Sequence, residues 1–233
     1  NDPELGFSAY NVPHRIQASA YYHVGYGTRK QWQTTVGVIY QGRSGSPYVI
    51  EMYGDMNNDG ARGNDIMFIP TDAQIDQMRF APTTVNNSNN TYPLITKVLG
   101  AGYKGNLSEE QQRALLKQWI ADDSYMSKHR GEYFKRYADN LAFEHHFDVH
   151  LAQKYSFKVG GQVNSLELSF DIINVGNLLN KDWGHTYGDG FGRYFSPFNY
   201  EGDGLFKFDG THVNRDYDSY NSRWRGQIGL RYT

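Results

Sequence analysis

The chain has 233 residues, with 23 Lys and Arg against 25 Asp and Glu, no cysteine, and a high aromatic content of 19 Tyr, 13 Phe and 4 Trp. A net charge of −2 argues against a nucleic-acid-binding domain, and the lack of Cys removes disulfide scaffolds and thiolate metal sites. Mean hydropathy is −0.70 and no run of about 18 apolar residues occurs, which excludes a transmembrane helix but not a barrel, where only alternate residues face lipid.

In chain order, the sequence begins Asn1-Asp2-Pro3-Glu4, without Met and without a signal peptide, so an exported precursor is expected to have lost its leader or the chain to be an internal piece of a longer protein. The first alternating segment is Arg15 to Tyr26. Ile16, Ala18, Ala20, Tyr22, Val24 and Tyr26 share one face; Arg15, Gln17, Ser19, Tyr21 and His23 share the other. A short turn, Gly27 to Lys30, leads to a second segment, Gln31 to Gln41. There Trp32, Thr34, Val36, Val38 and Tyr40 oppose Gln31, Gln33, Thr35 and Gln41, with Ile39 out of pattern. These two segments predict a hairpin.

A long insertion follows, from about Gly42 to Asn140, too long for a plain loop in a compact domain. Its Asn86 to Asn90 run reads as a mobile tip. Ser108 to Ala121 predicts a helix: Ser108 and Gln111 have capping-box spacing, Glu109 and Glu110 suit the N-terminal dipole, and Leu115, Leu116, Trp119 and Ile120 form a stripe. The third strand runs Leu141 to about Lys158. Leu141, Phe143, His145, Phe147, Val149 and Leu151 lie on one face; Ala142, Glu144, His146, Asp148 and His150 lie on the other. A turn at Gly160 to Asn164 precedes a fourth strand from near Leu166, with Leu168, Phe170 and Ile172 opposite Glu167, Ser169 and Asp171. A second long loop covers Lys181 to Ser222.

The last strand, Arg223 to Thr233, places Trp224, Gly226, Ile228, Leu230 and Tyr232 on one face and Arg223, Arg225, Gln227, Gly229 and Arg231 on the other. Trp224 and Tyr232 stand about 27 Å apart at about 3.4 Å per residue, one aromatic for each membrane interface. Short turns alternate with long loops, as in outer-membrane barrels. The expected fold is all-β: an antiparallel transmembrane β-barrel segment of five strands, residues 1–233 forming the C-terminal part of one barrel domain, with outer loops at about 42–140 and 181–222. Five strands cannot close a barrel, so the chain must pair with further strands. A soluble all-β surface domain is the competing fold.

Several clusters are candidates for chemistry. Asp55, Asn57, Asp59 and Gly60 match the opening of a calcium loop, with oxygen ligands at alternate positions. Asp55, Asn57, Asp59 and Asp65 are the expected side-chain ligands of Ca2+, with the Ala61 carbonyl. Ile66 stands where a standard loop has its closing Glu, and an Asx-rich turn is the alternative. His146, Asp148 and His150, beside Glu144, have zinc-compatible strand spacing but read as a polar lumen stripe. Phe191 to Tyr200 offers aromatic rings for stacking on a sugar or for packing one loop on another. No Ser-His-Asp motif, phosphate loop or H-E-x-x-H is present, so an enzyme is not expected.

Asp171-Ile-Ile-Asn-Val-Gly-Asn-Leu-Leu-Asn180-Lys-Asp-Trp-Gly184, the following loop and Ser222 to Thr233 resemble the C-terminal end of TonB-dependent outer-membrane receptors of the Bacteroidetes, of the Oar-like and SusC-like branches. Val12-Pro-His-Arg-Ile16 and Tyr40 to Pro47 share the resemblance. It implies a barrel of about 22 strands with a plug domain absent from this chain. It also implies localisation in the outer membrane of a Gram-negative bacterium, extracellular loops and a periplasmic C-terminus. The implied partners are the rest of the barrel and its plug, the lipid bilayer, and a TonB-type energy-transducing complex acting through the parent protein. Nutrient binding and uptake is the implied function. The alternative is an occluded barrel that docks a surface lipoprotein or an assembly complex.

Overall fold

The computed structural model describes residues 5–187, 193–213 and 218–233. It is mostly β-sheet with antiparallel strands, and no described helix is long and apolar enough to cross a membrane. The chain divides into two compact units. The sheet unit comprises residues 12–45, 141–189 and 216–233; the insertion unit comprises 1–11, 46–140 and 190–215. The two long loops of the sequence reading thus contribute most of a unit that folds on its own core.

The sheet unit is an open antiparallel meander: β1 (Arg15–Tyr26), β2 (Trp32–Arg43), β3 (Glu144–Val159), β4 (Gln162–Ile173) and β5 (Arg225–Tyr232), each paired to the next. Period-two alternation with β-branched and aromatic residues favours these strands. The hairpin between β3 and β4 is tighter than its sequence suggests. Gly160 and Gly161 both have positive φ, 57° and 89°, as a two-residue primed turn requires, so pairing begins at once with Gln162 opposite Val159. The sheet does not close: β1 and β5 are its two edges among the described residues.

The register aligns like with like across all five strands. Tyr26, Trp32, Tyr155, Leu166 and Tyr232 form one transverse row; Tyr22, Val36, Leu151, Phe170 and Ile228 form another. Every residue of β1 is exposed. Of the buried hydrophobic residues described, only Leu141 and Ala152 belong to this unit. The sheet therefore has strands in register but no hydrophobic core.

The insertion unit holds the core. Pro47–Tyr53 is its central strand, buried from Pro47 to Met52, with Asp65–Ile66 and Asp139–Asn140 antiparallel to it and Arg193–Gly202 parallel. Leu205–Lys207 pairs back on the last of these and lies parallel to Arg79–Phe80. Three helices accompany this sheet: α1 (Asp72–Gln77), α2 (Pro93–Leu99) and α3 (Glu109–Asp122). The α3 capping box is present: Gln111 N–H donates to Ser108 Oγ at 3.2 Å and Ser108 N–H to Gln111 Oε1 at 2.9 Å. Leu115, Leu116, Trp119 and Ile120 are buried, with Trp119 stacked on Phe208 at 5.3 Å. Buried Gln112 bridges two segments, donating to Ala81 O and accepting from Phe208 N–H. Asn87, in the run read as a mobile tip, is fully buried and its amide holds Tyr92 and Thr96.

Candidate functional site

The two faces of the sheet unit differ in chemistry. One carries exposed Tyr22, Val24, Val36, Val38, Leu151, Leu168, Phe170, Ile228 and Leu230. Aromatic residues bound it on both sides. Trp32 lies 4.4 Å from Tyr155 at the short-turn end, and Tyr40 lies 4.8 Å from Phe147 at the other. The polar groups on this face satisfy one another: Tyr26 and Thr34 hydroxyls both donate to Gln153 Oε1, at 3.0 and 2.7 Å.

The opposite face is a ladder of polar pairs. His150 meets Asp171 at 2.5 Å, His23 meets Thr35 at 2.9 Å, and Arg43 bonds Glu144 at 2.7 Å. Glu144 is almost fully buried, and its second oxygen accepts from Tyr187 N–H. His146 faces the Thr186 hydroxyl, and Asp148 accepts from Asn174 N–H. Glu144, His146, Asp148 and His150 thus share a face, as their spacing predicts; each hydrogen-bonds a different partner, and His146 Nε2 also lies 4.0 Å from Glu144 Oε2. Among the described residues no three His, Cys, Asp or Glu side chains gather in a way that could hold a metal.

The Asn-Val-Gly-Asn run at the end of β4 has a structural task that its sequence alone does not reveal. Asn174 adopts a left-handed conformation (φ 55°) before a short helix, α4 (Val175–Leu179). Its buried amide donates to Gly184 O and Ser222 O, both at 2.8 Å. Asn177 Nδ2 donates to Lys181 O and Trp183 O, while its Oδ1 accepts from Trp224 N–H. Two asparagines therefore tie the segments entering and leaving the second long loop. Gly184 is required here: its φ is 64°, and a Cβ would collide with the Asn174 side-chain amide.

The acidic loop lies in the insertion unit. Asp55 accepts from the N–H groups of Asp59 and Gly60, both at 2.9 Å; Asn57 Oδ1 accepts from Asp59 N–H at 2.9 Å; Asp59 accepts from Ala61 N–H at 2.8 Å. The Ala61 N–H and the Asn57 amide hold the Asp59 carboxyl below its usual range. Asp65 sits apart in role: it is buried, and its Oδ2 receives Met56 N–H at 2.7 Å and Asn57 N–H at 3.4 Å, clamping the loop entrance. The donor set is hard oxygen, which suits Ca2+. In the geometry described, these oxygens cap the loop's own N–H groups, as an Asx-rich turn does. Asp55, Asn57 and Asp59 would offer their remaining lone pairs to an ion.

Within the aromatic run, Phe191 and Gly192 lie outside the described residues, as do the side chains of residues 193–196. Phe198 is buried and stacks on Phe206 at 5.3 Å, and Tyr200 packs on the same ring at 5.4 Å. The Phe198 and Tyr200 rings thus pack within the insertion unit. No family model, curated protein or solved structure matches the chain.

Proposed function

We propose that this chain supplies five consecutive strands to the wall of a transmembrane β-barrel in a Gram-negative outer membrane, as the C-terminal part of a TonB-dependent transporter whose extracellular loops take part in nutrient binding and uptake. The observation that carries this reading is a registered sheet with no core of its own and an exposed apolar face bounded by aromatic rows. From Ala18, in the Tyr40–Phe147 row, to Tyr26 is eight residues of β1. At about 3.4 Å per residue and a tilt of about 40°, that spans about 21 Å, against an apolar band of about 25 Å in such barrels. The polar ladder then faces the lumen. The edges at β1 and β5 require further strands, because each unpaired backbone group in lipid costs several kcal/mol. The plug and the TonB-type complex act through that remainder.

Quenching by brominated lipids tests the placement, using variants that retain one Trp each. Trp32 and Trp224 are expected to be quenched in vesicles, and Trp119, stacked in the insertion core, is not. Unquenched Trp32 sinks the barrel reading in favour of a soluble β domain. A second role, docking a surface lipoprotein, is favoured by one feature: the insertion has its own core and so offers a preformed surface. Co-purification of a stoichiometric lipoprotein, without ligand-dependent protection of the loops in hydrogen exchange, would select docking over transport.

A further inference from the structure

The insertion unit contains an open cleft of about 1410 Å3. Its walls are the 5–7 segment, the acidic loop with Ile66, and the Glu132–Arg136 segment. A Cβ built on Gly6 would lie 3.6 Å from Arg136, so the first wall runs close to the third. Ligand sites usually combine apolar walls with a few placed polar groups. This cleft has both. Phe7, Met56 and Tyr133 are exposed large apolar side chains on its lining, at 59%, 44% and 63%. Tyr133 makes an edge contact with Phe68 at 5.2 Å, and Phe134, next to it in sequence, is buried.

The lining carries two carboxylates, Asp65 and Glu132, and two cations, Lys135 and Arg136, and they differ in how far their hydrogen-bonding capacity is used. Asp65 faces two backbone N–H groups, and Glu132 faces His129 at 3.1 Å. Glu51, behind the lining, is buried, and burial pushes its carboxyl pKa up, against the opposing pull of Arg136. Arg136 bonds Glu51 through Nη1 at 3.3 Å, yet its guanidinium has five N–H donors and the side chain is 43% exposed. Lys135 has no ion pair among the described residues. The two carboxylates thus accept from donors within the protein, while Lys135 and Arg136, both exposed and on the lining, retain unused N–H donors.

We infer that this cleft binds a small organic anion bearing an aromatic or aliphatic group, with Lys135 and Arg136 receiving the anionic end and Phe7 and Tyr133 receiving the apolar end. Arg suits a carboxylate because its planar fork pairs with two oxygens, and Lys adds a point charge. The acidic loop, satisfied by its own hydrogen bonds, forms a preorganised wall. The site stands on the insertion unit alone and does not rest on the membrane reading, so the two fail separately.

The test uses the intact protein in detergent and a matched pair of probes, N-acetylphenylalanine and its uncharged amide, followed by saturation-transfer NMR. The acid is expected to bind in the millimolar range and the amide at least fivefold more weakly, with added salt weakening the acid only. Lys135→Gln and Tyr133→Ala should each reduce the acid's affinity at least threefold. Arg136→Gln is made together with Glu51→Gln, so that no buried carboxylate is orphaned, and should reduce it further. Equal binding of acid and amide, binding of neither, or full affinity in both single variants overturns the assignment.

Discussion

Leu151→Arg is the substitution that most sharply separates a membrane wall from a sheet in water. Leu151 lies on the middle strand, in the row with Tyr22, Val36, Phe170 and Ile228. It is four residues from Phe147 in one aromatic row and four from Tyr155 in the other. At about 3.4 Å per residue and a tilt of about 40°, each row is about 10 Å away, which puts Leu151 at the bilayer midplane. An Arg there costs about 2–4 kcal/mol, a loss of about 30- to 700-fold in the folded-to-unfolded ratio. Leu151 is already 39% exposed, so on a water-facing sheet the same change should stay within about 0.5 kcal/mol. The control is Ser19→Arg, on the polar face of β1, where an added cation faces water under either reading and should change little. The assay is reversible denaturant unfolding of the complete barrel from lipid vesicles. A Leu151→Arg effect below about 1 kcal/mol, or equal effects at the two positions, refutes the assignment of faces.

Three further outcomes follow from the geometry. Gly184→Ala should lower stability by about 1–3 kcal/mol, because the φ of 64° and the Asn174 amide leave no room for a Cβ; an unchanged melting temperature would show that the two asparagines do not pin the loop. Burial raises the Glu51 pKa above its ordinary 4.5, so the folded state holds this proton more tightly than the unfolded state. Glu51's contribution is then fully present below pH 4.5 and lost as pH rises through the raised folded value; thermal melts across that window should show the decline in wild type and a flatter profile in Glu51→Gln. Calcium at the Asp55–Asp65 loop should bind with a dissociation constant of about 10⁻⁴–10⁻³ M, since the oxygens already cap N–H groups; calorimetry should lose the signal in Asp59→Asn, and no heat in wild type retires Ca2+ as a ligand.

The five strands of the sheet unit are legible in the chain because each has two unlike faces, which writes a period of two into the residues. Helix α3 is legible for a similar local reason, its Ser108–Gln111 box and apolar stripe lying within one short span. Helix α1 has the same box at Thr71 and Gln74 but only six residues, too few to display a period. The central strand Pro47–Tyr53 leaves almost no alternation, since it is buried on both sides. Asp65–Ile66 and Arg79–Phe80 are strands only because distant segments pair with them.

The same division holds for the candidate sites. The spacing of Asp55, Asn57 and Asp59 marks an oxygen-rich loop, but spacing cannot say whether those oxygens face an ion or their own N–H groups. The cleft beside that loop has no linear signature, because Phe7, Met56 and Tyr133 come from three remote stretches of chain. Local alternation and capping, which act within a few residues, determined the strands, their faces and α3 from sequence alone. Long-range pairing decided the insertion core, the asparagine ties and the cleft, because those rest on contacts between residues far apart in the chain.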